Sequence, residues 1–163
     1  MAAFADLYRQ YVRQVYRFML TLSGNESEAE EMTQETFYRA FLNIDKFEGR
    51  CSLYTWLCRI GKNTWIQYNR KKKTLSLYEA ENRCCDADIS EQAERREKIG
   101  AVRRAIMNLP EPYREVLIYR TYGQISFKEI AAMAGKTESW AKVTYFRGKE
   151  KLRKELGEYE NEL

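Results

Sequence analysis

The chain has only two prolines, close together at Pro110 and Pro112, and its eight glycines are thinly spread over 163 residues. Proline and glycine are the residues that interrupt helices, so on either side of Pro110 the backbone can run in long helices. The hydrophobic spacing uses that freedom. Phe4, Leu7, Tyr8, Tyr11, Val12, Val15, Phe18, Met19 and Leu22 recur at steps of three and four, which lays one apolar stripe along a first helix. Ser23, Gly24 and Asn25 end it. Ser27 followed by Glu30 has capping-box spacing, and the acids Glu28, Glu30 and Glu31 complement the positive end of a helix dipole. A second helix is therefore predicted from near Ala29 to about Asp45, with Met32, Phe37, Ala40, Phe41 and Ile44 as its apolar positions. A third begins near Leu53, contains Trp56, Leu57, Ile60, Trp65 and Ile66, and ends in the basic run Arg70, Lys71, Lys72 and Lys73.

From residue 74 to 98 polar and acidic residues dominate, and between Glu79 and Lys98 seven acids face four bases. This composition reads as a flexible linker between two small helical domains, 1–73 and 99–163. A helix is predicted to resume near Ser90 and to run through Ile99, Val102, Ile106 and Leu109 to the prolines. Tyr113, Val116, Leu117 and Tyr119 or Arg120 give a short helix closed by Gly123. Ser126 and Glu129 repeat the capping-box spacing and start another through Ile130, Ala131 and Met133. Gly135 supplies a left-handed turn, and Thr137 caps a last helix through Trp140, Val143, Phe146 and Leu152 to about Leu156. The fold class is all-α.

Several function classes fall away. The chain has no histidine, which removes catalytic triads, imidazole proton shuttles and His-carboxylate zinc sites. Paired acids such as Glu30 and Glu31 are neighbours on a helix and point to different sides, so no catalytic residue is assigned and no small-molecule substrate is expected. Cys51, Cys58, Cys84 and Cys85 contain no CxxC pair; neither a metal site nor a cofactor is expected. They read as reduced thiols of a cytoplasmic protein, with the vicinal pair Cys84 and Cys85 as a minor redox candidate. No apolar run approaches the roughly 20 residues of a bilayer span, and no secretory signal is visible.

Two constellations point to nucleic acid. A short capped helix, a turn at Gly135 and a longer basic helix form the helix-turn-helix pattern, whose second helix enters a major groove. In that second helix Ala141, Tyr145, Gly148 and Leu152 fall at helical spacing and are expected to form the buried seam. The opposite face presents Trp140, Lys142, Val143, Phe146 and Arg147, with Lys149, Lys151 and Arg153 lower down, a mix suited to phosphates and thymine methyl groups. Between Lys136 and Lys154 seven bases face two acids. A solvated helix in an ordinary bundle would carry the same charge run. The second constellation lies between Lys46 and Lys73, where eight bases face one acid and are interleaved with Tyr54, Trp56, Trp65 and Tyr68. Cations track the backbone of a single strand while aromatic faces accept unstacked bases, at about 1–3 kcal/mol each. Trp56 and Leu57 share a stripe with Ile60 and are assigned to the core, which leaves the loop Phe47 to Tyr54 to hold an extruded base.

Taken together the two halves resemble a known family. The stretch AEEMTQETFYRAFLNIDKFEGRCSLYTWLCRIGKNTWIQYNRKKK is similar to the second conserved region of bacterial extracytoplasmic-function sigma factors, and LPEPYREVLIYRTYGQISFKEIAAMAGKTESWAKVTYFRGKEKLRKEL to their fourth. The resemblance rests on the order and spacing of several motifs and covers most of the chain. It implies a promoter-specificity subunit that binds core RNA polymerase and promoter DNA and is held silent by a membrane-bound anti-sigma factor. By resemblance, Glu31, Gln34, Glu35, Phe37 and Leu42 would dock on polymerase. Phe47, Arg50, Ser52, Tyr54, Asn63, Arg70, Lys71 and Lys72 would serve the minus-ten element. Trp140, Lys142, Val143, Phe146, Arg147 and Lys151 would serve the minus-thirty-five element. The chain departs from many relatives at Ser139 to Thr144 and at Arg50 to Ser52, so a promoter sequence does not transfer with the family.

The residues alone leave a second reading open, a self-sufficient helix-turn-helix regulator that dimerises on an operator. It requires a self-complementary apolar surface and paired half-sites. A sigma subunit instead requires single-strand contacts and a polymerase-docking surface. With a formal charge of only +4, the isolated chain is expected to bind DNA weakly and in a salt-sensitive way.

Overall fold

The computed structural model describes residues 2–79 and 91–161, with 76–79 and 158–161 as backbone only. Every regular element among the described residues is helical. Cys84 and Cys85 lie outside them.

The first lobe holds α1 (Ala2–Ser23), α2 (Glu26–Asn43), a 3-10 turn (Ile44–Lys46) and α3 (Leu53–Glu79). The predicted stripe of α1 buries Val15, Phe18, Met19 and Leu22 against Ala29, Met32, Phe37 and Ala40 of α2 and Leu57, Cys58, Trp65 and Ile66 of α3. Gly61 lets α3 approach α1, because a Cβ there would lie 2.8 Å from Met19 Sδ. The buried hydroxyls of Thr33 and Thr36 donate to the carbonyls of Ala29 and Met32, one turn back, at 2.6 Å each. They therefore enter the core already satisfied.

The start of α2 differs from expectation. Its cap is Asn25, whose extended backbone follows the left-handed Gly24 and whose Oδ1 accepts from the Glu28 amide at 3.0 Å. Ser27 is already inside the first turn, because the change of chain direction at Gly24 decides where the helix can begin. The other end of the lobe also runs on. Helix α3 continues past the basic run to Glu79, since residues 74–79 contain no breaker.

The second lobe consists of α4 (Glu91–Asn108), α5 (Tyr113–Leu117), a π-helical turn (Ile118–Tyr122), α6 (Phe127–Ala134) and α7 (Glu138–Asn161). Residues 91–98, read from composition as linker, are the first turns of α4. Gly123 closes the π turn by donating its amide to the Ile118 carbonyl at 3.2 Å. Its core is built from Ile106, Val116, Ile118, Tyr119, Ile125, Ile130, Ala131 and Ala141. Gly148 sets the α5–α7 crossing, where a Cβ would lie 3.2 Å from Leu117 Cδ1.

Candidate nucleic-acid interface

Helices α6 and α7 form the helix-turn-helix by the local chemistry the sequence announces. The Ser126 side chain accepts from the Glu129 amide at 3.2 Å. Gly135 adopts φ +66°, and the amides of Gly135 and Lys136 return to the carbonyls of Ala132 and Ala131. Thr137 Oγ1 then accepts from the Trp140 amide at 3.2 Å and caps α7. Along α7 the inward seam is Ala141, Thr144 and Gly148, with Tyr145 and Leu152 half-buried. Thr144 was not expected there.

Outward from α7 stand Val143 and Phe146, 46% and 60% exposed, beside the exposed Lys142 and Arg147. The Phe146 ring is propped edge-on against Tyr145, which leans in turn on Phe127. Lys142 pairs with Glu138 at 3.3 Å, and Lys151 holds its ammonium 5.1 Å from the centre of the Tyr113 ring. Trp140 does not join this face. It is half-buried and packs against the core, because its position one residue before Ala141 turns the indole toward the lobe.

The loop assigned to an extruded base is open and basic. A cleft of about 170 Å³ is lined by Lys46, Phe47, Arg50, Cys51, Trp56 and Arg59, among others, with Met133 of the second lobe on one side. Phe47 and Trp56 stack at a tilt, ring centres 5.3 Å apart, so Trp56 is a wall of this cleft and only Leu57 of that pair is core. Arg50 pairs with the exposed Glu48 at 2.6 Å. Asn63, Arg70, Lys71 and Lys72 are exposed along α3, Lys72 in an ion pair with Glu28.

On α2 the exposed row runs through Glu31, Gln34, Tyr38, Phe41 and Leu42, with Glu35 half-buried in a 2.6 Å pair with Arg39. Phe37 is not on this row. It is 3% exposed and meets Tyr8 edge-on with ring centres 4.8 Å apart, so it supports the helix from beneath. Phe41, one of the apolar positions that mark this helix in the sequence, is 46% exposed, and Tyr38, not singled out from sequence, is 59% exposed. Their spacing from Glu31 at seven and ten residues was the available signal, since both positions fall on the acid's own face. A contiguous apolar row on an otherwise polar helix marks an interaction surface.

The two lobes touch through the minus-ten candidates themselves. The Ser52 amide donates to Glu129 Oε2 at 2.8 Å, and the Tyr54 hydroxyl donates to the Gly123 carbonyl at 3.0 Å. Lys62, on α3 next to Asn63, lies buried with its ammonium 3.4 Å from Glu115 Oε1 and 5.5 Å from the centre of the Tyr119 ring. Tyr119 is itself fully buried and donates its hydroxyl to the same Glu115 carboxylate at 3.2 Å. Burial pushes the Tyr119 phenol well above its ordinary pKa, and Glu115 adds to the shift. Burial likewise raises Tyr54. At the far end Arg103 donates to the Thr21 carbonyl at 3.0 Å, its guanidinium seated on Gly24.

The thiols differ sharply. Burial pushes Cys58 up to about 12, whereas Cys51, half-exposed beside the cleft, is raised by burial and by Glu129 against the opposing Arg59. Alkylation of the folded chain near pH 8, read by peptide mass spectrometry, is expected to label Cys51 slowly and leave Cys58 unlabelled until denaturant is added. Among the described residues no group of three His, Cys, Asp or Glu side chains is placed to hold a metal, and no helix is long and apolar enough to cross a membrane.

A helix-turn-helix with an exposed α7 face, joined to a basic and aromatic helical lobe, defines a two-lobed all-helical protein of the kind that binds nucleic acid. Residues 7–74 match the family described as Sigma-70 region 2, and residues 99–152 that described as Sigma-70, region 4. The ECF RNA polymerase sigma factor SigW of Bacillus subtilis is 32% identical, the alignment covering 94% of this chain and 89% of SigW. The RNA polymerase sigma factor YlaC of the same organism is 28% identical over 93% of this chain and 90% of YlaC. In fold the chain is similar to CnrH, solved in complex with the cytosolic domain of CnrY (TM-score 0.62, 21% identity, covering 96% of this chain and 88% of CnrH). It is also similar to the sigma factor RpoE of Bartonella quintana, solved with the anti-sigma factor NepR (TM-score 0.59, 20% identity, 96% and 98% covered). The chain belongs to the extracytoplasmic-function family of RNA polymerase sigma factors.

Proposed function

We propose that this chain binds core RNA polymerase through the exposed row of α2 and directs initiation at promoters whose two elements are read by its two lobes. The first lobe, 1–73, takes the minus-ten strand in the Phe47 to Tyr54 loop and along the Asn63 to Lys72 side of α3. Residues 74–98 connect it to the second lobe, 99–163, which places Lys142, Val143, Phe146 and Arg147 in the major groove of the minus-thirty-five element. What supports this reading most is that both halves match sigma-70 regions in the right order, each with an outward face of the required chemistry. The role is one of selection, with no chemical step carried by the chain itself. It acts in the bacterial cytoplasm, and an anti-sigma protein, anchored in the membrane, covers one or both lobes to silence it.

Affinity follows from linkage. With a net charge of only +4 over the whole chain, each lobe binds DNA feebly, and polymerase fixes their separation, so the second contact becomes intramolecular and adds avidity. Phe146→Ala and Arg147→Ala test the reading face. Both side chains are exposed, so the fold is retained. Each variant is expected to lose about 1–3 kcal/mol of discrimination at the upstream element while binding core polymerase as the parent does. Promoter competition transcribed with purified core enzyme measures this, and equal promoter use by the variants would move the reading face elsewhere.

A further inference from the structure

We propose that Tyr145 is a positioning residue for the reading face: its ring, braced from behind by Phe127 and Arg120, fixes the direction in which Phe146 meets the major groove. This rests on the assignment of Phe146 to the minus-thirty-five element. The contact that carries it is an uncommon one. Neighbouring residues of a helix point about 100° apart and do not ordinarily face each other, yet the Tyr145 and Phe146 rings meet edge to face with centres 5.5 Å apart. Tyr145 leans that way because its other sides are occupied. The Phe127 ring, from the first residue of α6, meets it with centres 5.4 Å apart, and the Lys149 ammonium lies 5.5 Å from its centre. Phe127 is backed in turn by the Arg120 guanidinium, 4.5 Å from its ring centre, and Arg120 is tied down by donating to the Ile125 carbonyl at 3.2 Å. A column of four side chains thus starts in the π turn, crosses both helices of the helix-turn-helix and ends at the exposed Phe146 ring.

The column matters because of the freedom it removes. Phe146 is 60% exposed, so solvent alone would leave its ring to wander. A helix allows a long side chain two of the three staggered χ1 positions, and an exposed ring also turns about χ2, so an unbraced Phe146 would present itself to the groove in only about a third of the molecules. Apparent affinity falls by that fraction. An edge-to-face neighbour weights one position over the others. The ring is then ordered before DNA arrives, and less freedom is lost on binding. The buried seam of α7 asks only for an apolar side chain at position 145. What the seam does not require, and the column does, is a flat ring long enough to touch Phe127 on one side and Phe146 on the other.

The experiment is a double-mutant cycle on the full chain bound to core polymerase. Its readout is competition between a mapped promoter and the same promoter with the minus-thirty-five element scrambled. Tyr145→Leu keeps the seam filled and removes the ring. It is expected to lower discrimination about threefold in the parent. In the Phe146→Ala background, where Arg147 still leaves discrimination to lose, the same change should cost less than about 1.5-fold, because Tyr145 acts through Phe146. Tyr145→Phe keeps the ring and should keep the parent's discrimination. Circular dichroism and urea unfolding check each variant, and if Tyr145→Leu does not fold, Phe127→Leu, one step further back in the column, replaces it with the same expected pattern. A purely structural Tyr145 would cost as much without Phe146 as with it. That result overturns the brace, as does full discrimination by folded Tyr145→Leu or a loss by Tyr145→Phe as large as the leucine's. Undiminished discrimination by Phe146→Ala alone would instead overturn the reading-face assignment on which the brace rests.

Discussion

Leu42→Glu is expected to leave the chain folded and to weaken its hold on core polymerase at least roughly thirtyfold. Leu42 is 58% exposed, so its loss removes no core contact. Yet it ends the exposed apolar row that begins at Tyr38, the row proposed to meet polymerase. Central apolar anchors of an interface carry about 2 kcal/mol or more when truncated, and a buried unpaired carboxylate adds a desolvation cost. The expected loss is therefore at least roughly thirtyfold in affinity, measured by titrating labelled core enzyme. Tyr38→Ala should follow the same direction with a smaller loss. Phe37→Ala gives the contrast that separates surface from support, because it empties the space against Tyr8 and should lower the melting temperature first.

The second large effect falls on Tyr119. It is the largest fully buried side chain among the described residues, and it joins the π turn to Glu115 and Lys62. Tyr119→Ala removes the ring from the core, which costs about 3–5 kcal/mol for a buried aromatic. It also leaves the Glu115 carboxylate with Lys62 as its remaining short-range partner. Urea unfolding should show the midpoint falling steeply with the slope nearly unchanged. Tyr119→Phe, which keeps the ring and deletes the hydroxyl, should cost only about 1 kcal/mol. If the two substitutions cost the same, the hydroxyl and not the ring holds the lobe.

Elements that depend on neighbours in sequence were readable in advance. The stripe of α1, the Ser126 cap, the left-handed Gly135, the Thr137 cap and the exposed Val143, Phe146 and Arg147 all follow from spacing of three or four residues. Errors began where two local signals competed. Ser27 has the capping-box partner, but Gly24 had already turned the chain, so Asn25 became the cap. Phe37 and Phe41 are one turn apart on α2, and the apolar pattern of that helix alone does not say which edge of the stripe α1 covers. The structure buries Phe37 and exposes Phe41. Trp140 sits at the boundary of the α7 seam for the same reason.

What the sequence could not show depends on residues far apart. Nothing around Lys62 distinguishes it from the exposed cations of α3, because its burial comes from Glu115 and Tyr119, more than fifty positions later. The π turn has no periodic signature either. Its five residues read as a short helix closed by Gly123, and only the Gly123 amide bonding to Ile118 reveals the extra residue. The family resemblance supplied the candidate DNA faces by motif. It said nothing of the second lobe resting on the first.

The most direct measurement is run-off transcription from a linear template carrying a promoter mapped in cells, using purified core polymerase with and without this chain. A discrete transcript that starts at the mapped position only when the chain is added is the predicted result. No transcript at any ratio of chain to core enzyme, together with a shifted palindromic duplex in the absence of polymerase, would contradict it and identify a self-sufficient regulator instead.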